Sequence, residues 1–395
     1  MNVLECAHDL GVSAILIHRE GGYESRAREL AEKTIHADLN DYAKLVSIVE
    51  QLHADRPLAR IISLTEDGLV PAARLNERFG LGGNSVRVAM GLKNKALMRR
   101  MLDRRGLSPV RWRLVSDAAD TLDFCERLGK WQIILKPVDG AASVDVHRLA
   151  SPTEIEQAWR LLGHRDMLVE ECLTGTEISV EAFSHQGRHT VVAFTDKTLT
   201  QSLVEVGHTI PSAVPAATKE TAAALVTEFL DTMELKEGPS HTEIIITEDG
   251  PRIVESHNRI GGGSLRELIQ IAYGVDFVRL TLAVSLGLEP GLHTPPERIA
   301  GAAVRFFTPE PGMIERFEGL DEFTNDDDVS IHMTANPGDI VPPLRSSYDR
   351  TVGFVVARGR DALQAKSRCE AALSAVRIIT SPQRGMNPVM TKGGR

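Results

Sequence analysis

A β-hairpin predicted over residues 242–255 restricts the fold of this chain more than any other feature of its sequence. Two apolar runs flank Asp249 and Gly250, a dipeptide that strongly favours a tight antiparallel turn. Because the turn lies midway between Glu243 and Glu255, we expect the two carboxylates to lie near each other across the strand pair. Like charges in opposite positions destabilise a hairpin unless a cation lies between them. The pattern is therefore typical either of a solvated strand face or of a cation site.

The residues that follow the hairpin favour the second alternative, a cation site. Mg²⁺ prefers a few carboxylate or amide oxygens together with nucleotide phosphates, so Glu243, Glu255 and Asn258 are candidate metal ligands. Arg259 supplies a planar cation suited to a carboxylate or an acyl phosphate. The run Gly261–Gly263 lets backbone N–H groups approach an anion closely. A glycine run by itself is also typical of a flexible turn.

Length and charge limit the class of protein. With 395 residues the chain is too long for one hydrophobic core, and we expect two or three packed domains. No apolar run approaches the roughly 18–20 residues that a membrane-spanning helix needs. The N-terminus lacks the basic-then-apolar order of a signal peptide, so the cytoplasm is the expected location. A formal net charge of −9 gives no electrostatic sign of nucleic-acid binding.

The first 91 residues alternate between strand-like and helix-like segments. Residues 13–19 and 60–65 are short apolar runs that fit buried parallel strands, and helical spacing follows each of them. This pattern predicts a doubly wound parallel sheet. Residues 2–11 have helical spacing with no strand before them, so this domain is expected to lack its first strand.

Two lysines are candidate phosphate-binding groups. Lys95 lies on a basic amphipathic helix predicted over residues 92–105, with Gly106 in the place of a C-cap glycine. Lys136 ends an apolar strand and opens onto a loop of small residues, 140–143, that can fold over phosphate oxygens. A lysine at the end of a buried strand is also typical of a side chain that extends to solvent. No GxxxxGK[ST] motif occurs, and no GxGxxG motif follows a strand.

A pair of acidic strands follows at residues 168–181. The first ends in Glu170 and Glu171, and the second carries Glu177 after a turn at Thr174 and Gly175. A carboxylate can accept hydrogen bonds from two ribose hydroxyls, and backbone groups at a strand end can contact an adenine edge. The same pattern is typical of an exposed acidic strand.

In this order, these segments resemble the ATP-grasp superfamily, and most of all its L-amino acid ligases, which are dipeptide-forming carboxylate–amine ligases. The matching stretches span residues 94–314 and are NKALMRRML, ILKPVDGAASVDV, LVEECLTGTEISVE, VEVGHTIPS, HTEIIITEDGPRIVESHNRIGGGS and AAVRFFTPEPGMI. The resemblance implies an α/β ATP-grasp fold, with α+β nucleotide lobes. Its predicted parts are an N-terminal domain at 1–91, an ATP-grasp domain at 92–300 with a small lid lobe at about 109–172, and a C-terminal region at 301–395 that completes the large lobe.

The same resemblance implies ATP and Mg²⁺ as cofactors, with Mn²⁺ as a substitute, and it assigns the site. The implied nucleotide-binding residues are Lys95, Lys136, Gly140, Ala141, Ala142, Ser143, Glu170, Glu171, Cys172, Leu173 and Glu177. The implied metal ligands are Glu243, Glu255 and Asn258. The implied substrate contacts are His208, Arg259, Gly261, Gly262, Gly263, Lys197 and Arg305, and the implied catalytic residues are Arg259, Lys136, His208 and Gly262.

The implied reaction has two steps. A carboxylate attacks the γ-phosphate of ATP to give an acyl phosphate and ADP, and an amine then displaces phosphate to form an amide. The implied partners are a small carboxylic acid or amino acid and an amino acid, with neither nucleic acid nor membrane, and related enzymes are commonly homodimers. An ATP-grasp kinase that phosphorylates a small molecule without amide formation is the alternative. Whether His208 deprotonates the amine or only lines its pocket stays open.

Overall fold

The computed structural model describes residues 3–21, 25–323 and 326–382. The end of the predicted C-terminal region, residues 383–395, therefore lies outside the described residues. Within the described chain the strands form four sheets, of two, eight, three and four strands. The four-stranded and the eight-stranded sheets both contribute residues to the wall of one cavity.

The N-terminal part contains a two-stranded parallel sheet with helices around it. Strand β1 pairs with β2, with Ile15 opposite Lys33, so the parallel strand predicted at residues 13–19 is confirmed. The elements are α1 (Val3–Asp9), β1 (Ile15–His18), a 3-10 turn at Arg26–Leu30, β2 (Lys33–His36), α2 (Tyr42–Asp55), α3 (Glu66–Phe79) and α4 (Val86–Lys93).

The strand predicted at residues 60–65 does not form. Instead, the Ile61 N–H donates to Oδ1 of Asn76 at 3.0 Å, and Nδ2 of Asn76 donates to the Ile61 carbonyl at 2.7 Å. One side-chain amide on α3 thus makes the two hydrogen bonds that a neighbouring strand would supply. The apolar pattern correctly indicates an extended segment, but the pairing it predicts is wrong.

The small lobe is a four-stranded antiparallel sheet in the order β3-β6-β4-β5. Helix α5 precedes it and ends at Gly106, whose φ of 65° confirms the predicted C-cap glycine. The predicted helix start at residue 92 is wrong, because Asn94 is extended and its side chain caps a helix that begins at Lys95. The elements are α5 (Lys95–Arg105), β3 (Trp112–Val115), α6 (Ala118–Leu128), β4 (Ile133–Pro137), β5 (His147–Leu149), α7 (Pro152–Leu162) and β6 (Met167–Glu171).

The large lobe is an eight-stranded sheet in the order β11-β10-β7-β8-β9-β12-β16-β14. Helix α8 packs on one part of the sheet and helices α9 and α10 on another, and both contacts bury apolar side chains completely. The elements are β7 (Thr176–His185), β8 (Arg188–Leu199), β9 (Glu205–Ile210), α8 (Ala216–Met233), β10 (Gly238–Thr247), β11 (Gly250–His257), α9 (Leu265–Tyr273), α10 (Phe277–Ser285) and β12 (Gly301–Phe306).

The predicted hairpin is confirmed as β10 and β11. Its two loop residues are Glu248 and Asp249, and Gly250 begins the returning strand. The sequence predicts that Glu243 and Glu255 lie near each other, and this is confirmed. A shift of register between Glu243 and Ile244 makes the two glutamates direct partners. The hairpin forms the edge of the large sheet, next to β7.

The C-terminal part supplies two strands to the large sheet and a separate three-stranded sheet in the order β15-β13-β17. In the described part of the chain, no single helix is long and apolar enough to cross a membrane, although α9 and α10, bent by 88°, pass that test together by length and composition. The remaining elements are β13 (Gly312–Glu318), β14 (Val329–Met333), β15 (Ile340–Val341), β16 (Gly353–Gly359), α11 (Ala362–Ala375), β17 (Arg377–Ser381) and 3-10 turns at Leu320–Phe323 and Ser347–Asp349.

Candidate active site

A cavity of about 690 Å³ lies between the small lobe and the large sheet. The first turn of α3 and the segment 347–350 complete its wall. Most of the residues singled out in the sequence line it. These are Lys95, Lys136, Gly140, Ala141, Ala142, Ser143, Glu170, Glu171, Cys172, Leu173, Glu177, Lys197, Glu243, Glu255, Arg259 and Gly262.

The two hairpin carboxylates each have a lysine in contact. Nζ of Lys197 lies 2.7 Å from Oε1 of Glu243, and Nζ of Lys95 lies 3.0 Å from Oε2 of Glu255. Burial raises the pKa of Glu243, but Lys197 and His241 outweigh burial and the repulsion from Glu255 and bring that pKa to about 2. For Glu255, burial is likewise outweighed, chiefly by Lys95, and the pKa lies well below its usual range. Both groups are therefore anionic at neutral pH.

This pair fits a Mg²⁺ site that is completed by phosphate oxygens. Two anionic carboxylates face one cavity from opposite strands, and cationic side chains already contact both of them. Among the described residues, no group of three or more His, Cys, Asp or Glu side chains has the arrangement of a metal site. Mg²⁺ is commonly held by one or two carboxylates, with water and nucleotide phosphates as its other ligands. The donor set agrees with that mode of binding.

The structure contradicts Asn258 as the third metal ligand. Nδ2 of Asn258 donates to the Pro239 carbonyl at 3.1 Å, and its Oδ1 accepts from Nδ2 of Asn84 at 2.9 Å. Asn258 does not line the main cavity and instead borders a smaller one. Side chains alternate along a strand, so the residue on the same face as Glu255 is His257.

Two buried histidines that are absent from the predicted site residues contact the hairpin carboxylates. His241 lies between Glu181, at 2.8 Å, and Glu243, at 3.2 Å. Burial lowers the pKa of His241, but these two carboxylates outweigh it and raise the pKa to about 10. His257 lies 3.1 Å from Glu255, and its pKa is also raised, because Glu255 and Glu66 outweigh burial. The alternation of the hairpin strands is the sequence signal that identifies both histidines.

Lys136 is held by a buried ion-pair cluster. Its Nζ lies 2.8 Å from Glu170, and Arg99 contacts the same carboxylate with Nε at 2.6 Å and Nη2 at 3.1 Å. Burial raises the pKa of Glu170, but Arg99 and Lys136 outweigh it and bring that pKa to about 2. The Glu170 carboxylate is thus engaged with two cations, and its role in this structure is to position Lys136. Arg99 has no motif in the sequence that identifies it.

Lys197 lies at the centre of the acidic residues of the site. Its Nζ contacts Glu177 at 2.6 Å, Glu243 at 2.7 Å and Glu205 at 3.8 Å. Burial opposes its charge, yet these carboxylates outweigh burial and raise the pKa of Lys197 well above its usual value. The ammonium contacts both Glu177 and Glu243, so it offsets the repulsion between these two carboxylates.

His208 does not reach the cavity. Its ring is fully buried behind Glu205, with Nε2 2.8 Å from Oε1 of that carboxylate. Burial raises the pKa of Glu205, but His208, Lys197 and Arg350 outweigh it and keep that pKa well below its usual range. The predicted contact between His208 and substrate is therefore contradicted, and His208 acts on the cavity only through Glu205.

The triple-glycine loop packs against the rings of His241 and His208. A Cβ on Gly261 would lie 2.6 Å from Nδ1 of His241, and one on Gly263, whose φ is +62°, would lie 2.6 Å from Nε2 of His208. Gly261 and Gly263 do not line the cavity, which corrects their assignment as substrate contacts, and Gly262 does line it. Glycine is required at both flanking positions because a side chain there would collide with a ring.

Arg305 is a structural residue rather than a substrate contact. It is buried outside the cavity wall, where Nη1 donates to the His208 carbonyl at 2.9 Å. Its Nη2 donates to Thr209 at 3.2 Å and lies 3.3 Å from Glu370 on α11. The predicted role of Arg305 is therefore contradicted, because its side chain joins β9 and β12 to α11.

Two further parts of the wall come from outside the predicted motifs. Glu66, in the first turn of α3, contacts Arg259 at 2.7 Å and His257 at 3.1 Å. Burial raises the pKa of Glu66, but His257 and Arg259 outweigh it and bring that pKa to about 2. Arg350 enters from the C-terminal part and contacts Glu205 at 3.0 Å. No pattern in the sequence connects these residues with the site.

Family models match the chain in three consecutive segments. A model of the ATP-grasp N-terminal domain matches residues 4–83, and a model of the ATP-grasp domain matches residues 130–266. A model of the L-amino acid ligase C-terminal domain 2 matches residues 305–381. The chain therefore contains ATP-grasp domains. The resemblance that the motifs indicate is therefore confirmed.

Individual ATP-grasp proteins extend this likeness. An L-arginine-specific L-amino acid ligase from Bacillus subtilis is 24% identical over 325 residues, which cover 78% of each protein. The dapdiamide A synthase of Enterobacter agglomerans is 23% identical over 306 residues, which cover 71% of this chain and 70% of that protein. The crystal structure of an L-amino acid ligase from Bacillus licheniformis matches with a TM-score of 0.82 at 21% identity, over 96% of this chain and 95% of that chain. The predicted ATP-grasp fold is confirmed, and the prediction of an ATP-grasp ligase agrees with these related ligases.

Proposed function

We propose that this ATP-grasp enzyme joins a small carboxylate to the amine of an amino acid, with an acyl phosphate as intermediate and ADP and phosphate as products. One observation carries the proposal. Glu243 and Glu255 face each other across the hairpin, in a cavity that also contains Lys95, Lys136 and Arg259. Such a cavity can accept a triphosphate and a carboxylate together, because its cations offset the repulsion between them.

The first step forms the acyl phosphate. A carboxylate oxygen attacks the γ-phosphorus of ATP, the bond from that phosphorus to the β–γ bridging oxygen breaks, and ADP leaves with the electron pair. Lys95 and Lys136 are placed to bind the phosphates. Glu243 and Glu255 would hold Mg²⁺, which supplies positive charge to the phosphoryl oxygens when bound. Arg259, fixed by Glu66 at 2.7 Å, is placed to bind the reacting carboxylate.

The second step forms the amide. The neutral amine attacks the acyl carbon, the C–O bond to phosphate breaks, and phosphate leaves with the electron pair and accepts the proton released by nitrogen. Gly262 lines the cavity, and its backbone N–H would bind the oxyanion that develops on the acyl oxygen. Closure of the small lobe over the cavity would exclude water, which otherwise hydrolyses the acyl phosphate.

The test is a paired screen of carboxylic acids and amino acids with ATP and Mg²⁺, which measures phosphate release and product mass. We expect ADP formation to require both a carboxylate and an amine, and the product mass to equal that of the two substrates less one water. ADP release that requires a single acceptor, with a phosphorylated product, would instead identify an ATP-grasp kinase. A Glu243→Gln, Glu255→Gln double variant is the matched control for contaminating ATPase activity.

A further inference from the structure

A short C-terminal segment, residues 346–350, forms one wall of the active-site cavity. The Ser347 N–H donates to the Ala142 carbonyl at 2.9 Å, which joins this segment to the small-residue loop at 140–143. Ser346 and Asp349 form a capping box that fixes its 3-10 turn. The segment is therefore fixed by hydrogen bonds as part of the cavity wall.

Arg350 is the cation of this segment, and only part of its hydrogen-bonding capacity is used. Nε donates to the Ser347 carbonyl at 2.9 Å, and Nη1 donates to the backbone and carboxylate oxygens of Glu205, each at 3.0 Å. The guanidinium carbon lies 3.9 Å from the centre of the Phe306 ring. Within the described part of the chain, Nη2 has no acceptor, although the side chain is 90% buried and lines the cavity. An arginine held rigidly with an unused N–H pair suits a planar anion.

Arg350 and Arg259 are connected to the hairpin carboxylates through different contacts. Arg259 is connected to Glu255 through Glu66 and His257. Arg350 is connected to Glu243 through a different pair, Glu205 and Lys197. The cavity thus has two arginine–glutamate pairs, each connected to a different hairpin carboxylate. The reacting carboxylate needs only one of these pairs.

We infer that Arg350 binds the carboxylate of the amino acid that supplies the amine, and that this contact selects amino acids over simple amines. The inference rests on the proposed function. An amino acid is a zwitterion, and the Arg350–Glu205 pair presents the complementary charges, with the guanidinium for its carboxylate and Glu205 for its ammonium. Leu199, Leu203 and Tyr348 line the same cavity and offer apolar surface to a side chain.

The test measures binding and compares each proteinogenic L-amino acid with its carboxamide, which lacks the negative charge. The full-length enzyme is titrated calorimetrically in the presence of MgCl₂ and a non-hydrolysable ATP analogue. We expect the wild type to bind at least one amino acid more tightly than its amide. Arg350→Gln should reduce that preference at least about tenfold, because a hydrogen bond to a charged group is lost. Arg350→Lys, which keeps a charge beside Glu205, should retain part of the preference.

Arg345→Gln is the matched control, since Arg345 lies in the same stretch but is exposed and does not line the cavity. A wild type that binds no amino acid more tightly than its amide would overturn the inference. The inference would also be overturned if Arg350→Gln bound the amino acid and its carboxamide with equally reduced affinity, or if neither affinity changed. If Arg350→Gln does not fold, the ratio of affinities for the amino acid and its carboxamide in Arg350→Lys decides whether the inference stands. Hydroxamate formation with hydroxylamine tests the acyl phosphate separately, so its absence would contradict the proposed function while the binding ratio still decides the role of Arg350.

Discussion

The rings of His241 and His257 stack 6.4 Å apart at an angle of 19°, on adjacent strands of the hairpin. Each ring contacts one of the two carboxylates placed to hold Mg²⁺, Glu243 or Glu255. The two histidines lie side by side in a buried position, and each is flanked by two glutamates that raise its pKa. The candidate metal site is thus supported by a layer of buried charge that keeps its carboxylates ionised and oriented.

Replacing Glu255 tests the metal assignment. We expect Glu255→Gln to lower ADP formation at least about a hundredfold, because the substitution removes an anionic ligand from the site where phosphoryl charge is offset. ADP release and the circular dichroism spectrum are measured together. Asp249→Asn, in the exposed turn of the same hairpin, is the control. Turnover near the wild-type rate in Glu255→Gln would exclude Glu255 as a ligand.

Replacing Glu170 tests the buried cluster that positions Lys136. In Glu170→Gln, Arg99 and Lys136 lose the carboxylate that they share, and both remain buried. We expect the free energy of unfolding in urea to fall by about 3–5 kcal/mol, the typical cost of removing one partner of a buried ion pair. Glu171→Gln is the neighbouring control, on a less buried residue. An equal effect of the two substitutions would contradict the assigned role of Glu170.

Lys136→Ala should affect nucleotide binding more than folding. Without the Lys136 ammonium, Glu170 still has its two contacts with Arg99, whereas the proposed phosphate contact is lost. We expect a higher KM for ATP or loss of turnover, measured at saturating concentrations of both other substrates. Unchanged ATP kinetics would count against a phosphate role for Lys136.

The triple-glycine loop offers a matched pair of substitutions. A Cβ on Gly263 would lie 2.6 Å from the His208 ring, with φ at +62°, whereas a Cβ on Gly262 would meet nothing within 4 Å. We expect Gly263→Ala to lower the free energy of unfolding by about 1–3 kcal/mol, from backbone strain and the collision. Gly262→Ala should change it by no more than about 0.5 kcal/mol. The measurement is urea denaturation, and similar losses in the two variants would disprove the packing argument.

The raised pKa of His241 predicts a pH dependence of stability. His241 binds a proton more tightly in the folded protein, with a pKa of about 10, than in the unfolded chain, where histidine has a pKa of about 6.5. Its contribution is therefore complete below about pH 6.5 and is lost as the pH rises toward 10. We expect the difference in unfolding free energy between wild type and His241→Gln, measured with Mg²⁺ chelated, to shrink across that range. A constant difference would show that His241 is neutral in the folded enzyme.

Sequence reasoning succeeds where the deciding interactions are local. The pattern around Asp249 and Gly250 and the alternation of side chains are short-range properties, so the sequence alone predicts a hairpin that brings Glu243 near Glu255. Their direct pairing also needs the shift of register between Glu243 and Ile244. The same alternation puts His257, and not Asn258, on the face of the strand that carries Glu255. The prediction of Asn258 as a metal ligand is therefore contradicted by a local rule. The strand predicted at residues 60–65 fails for a different reason. Its pairing depends on Asn76, which lies on a separate helix.

The sequence by itself determines the short motifs and their order, because each motif is a pattern within a short segment. Through the resemblance of that order to ATP-grasp proteins, it also implies the fold and most of the cavity lining. Only the tertiary structure decides which charges share a partner. Lys197 joins Glu177, Glu243 and Glu205, Arg99 reaches Glu170, and Arg350 reaches Glu205. These contacts connect residues far apart in the chain, and they depend on how the lobes pack. In a buried, low-dielectric site, that packing determines which side chains are charged and which face the substrate.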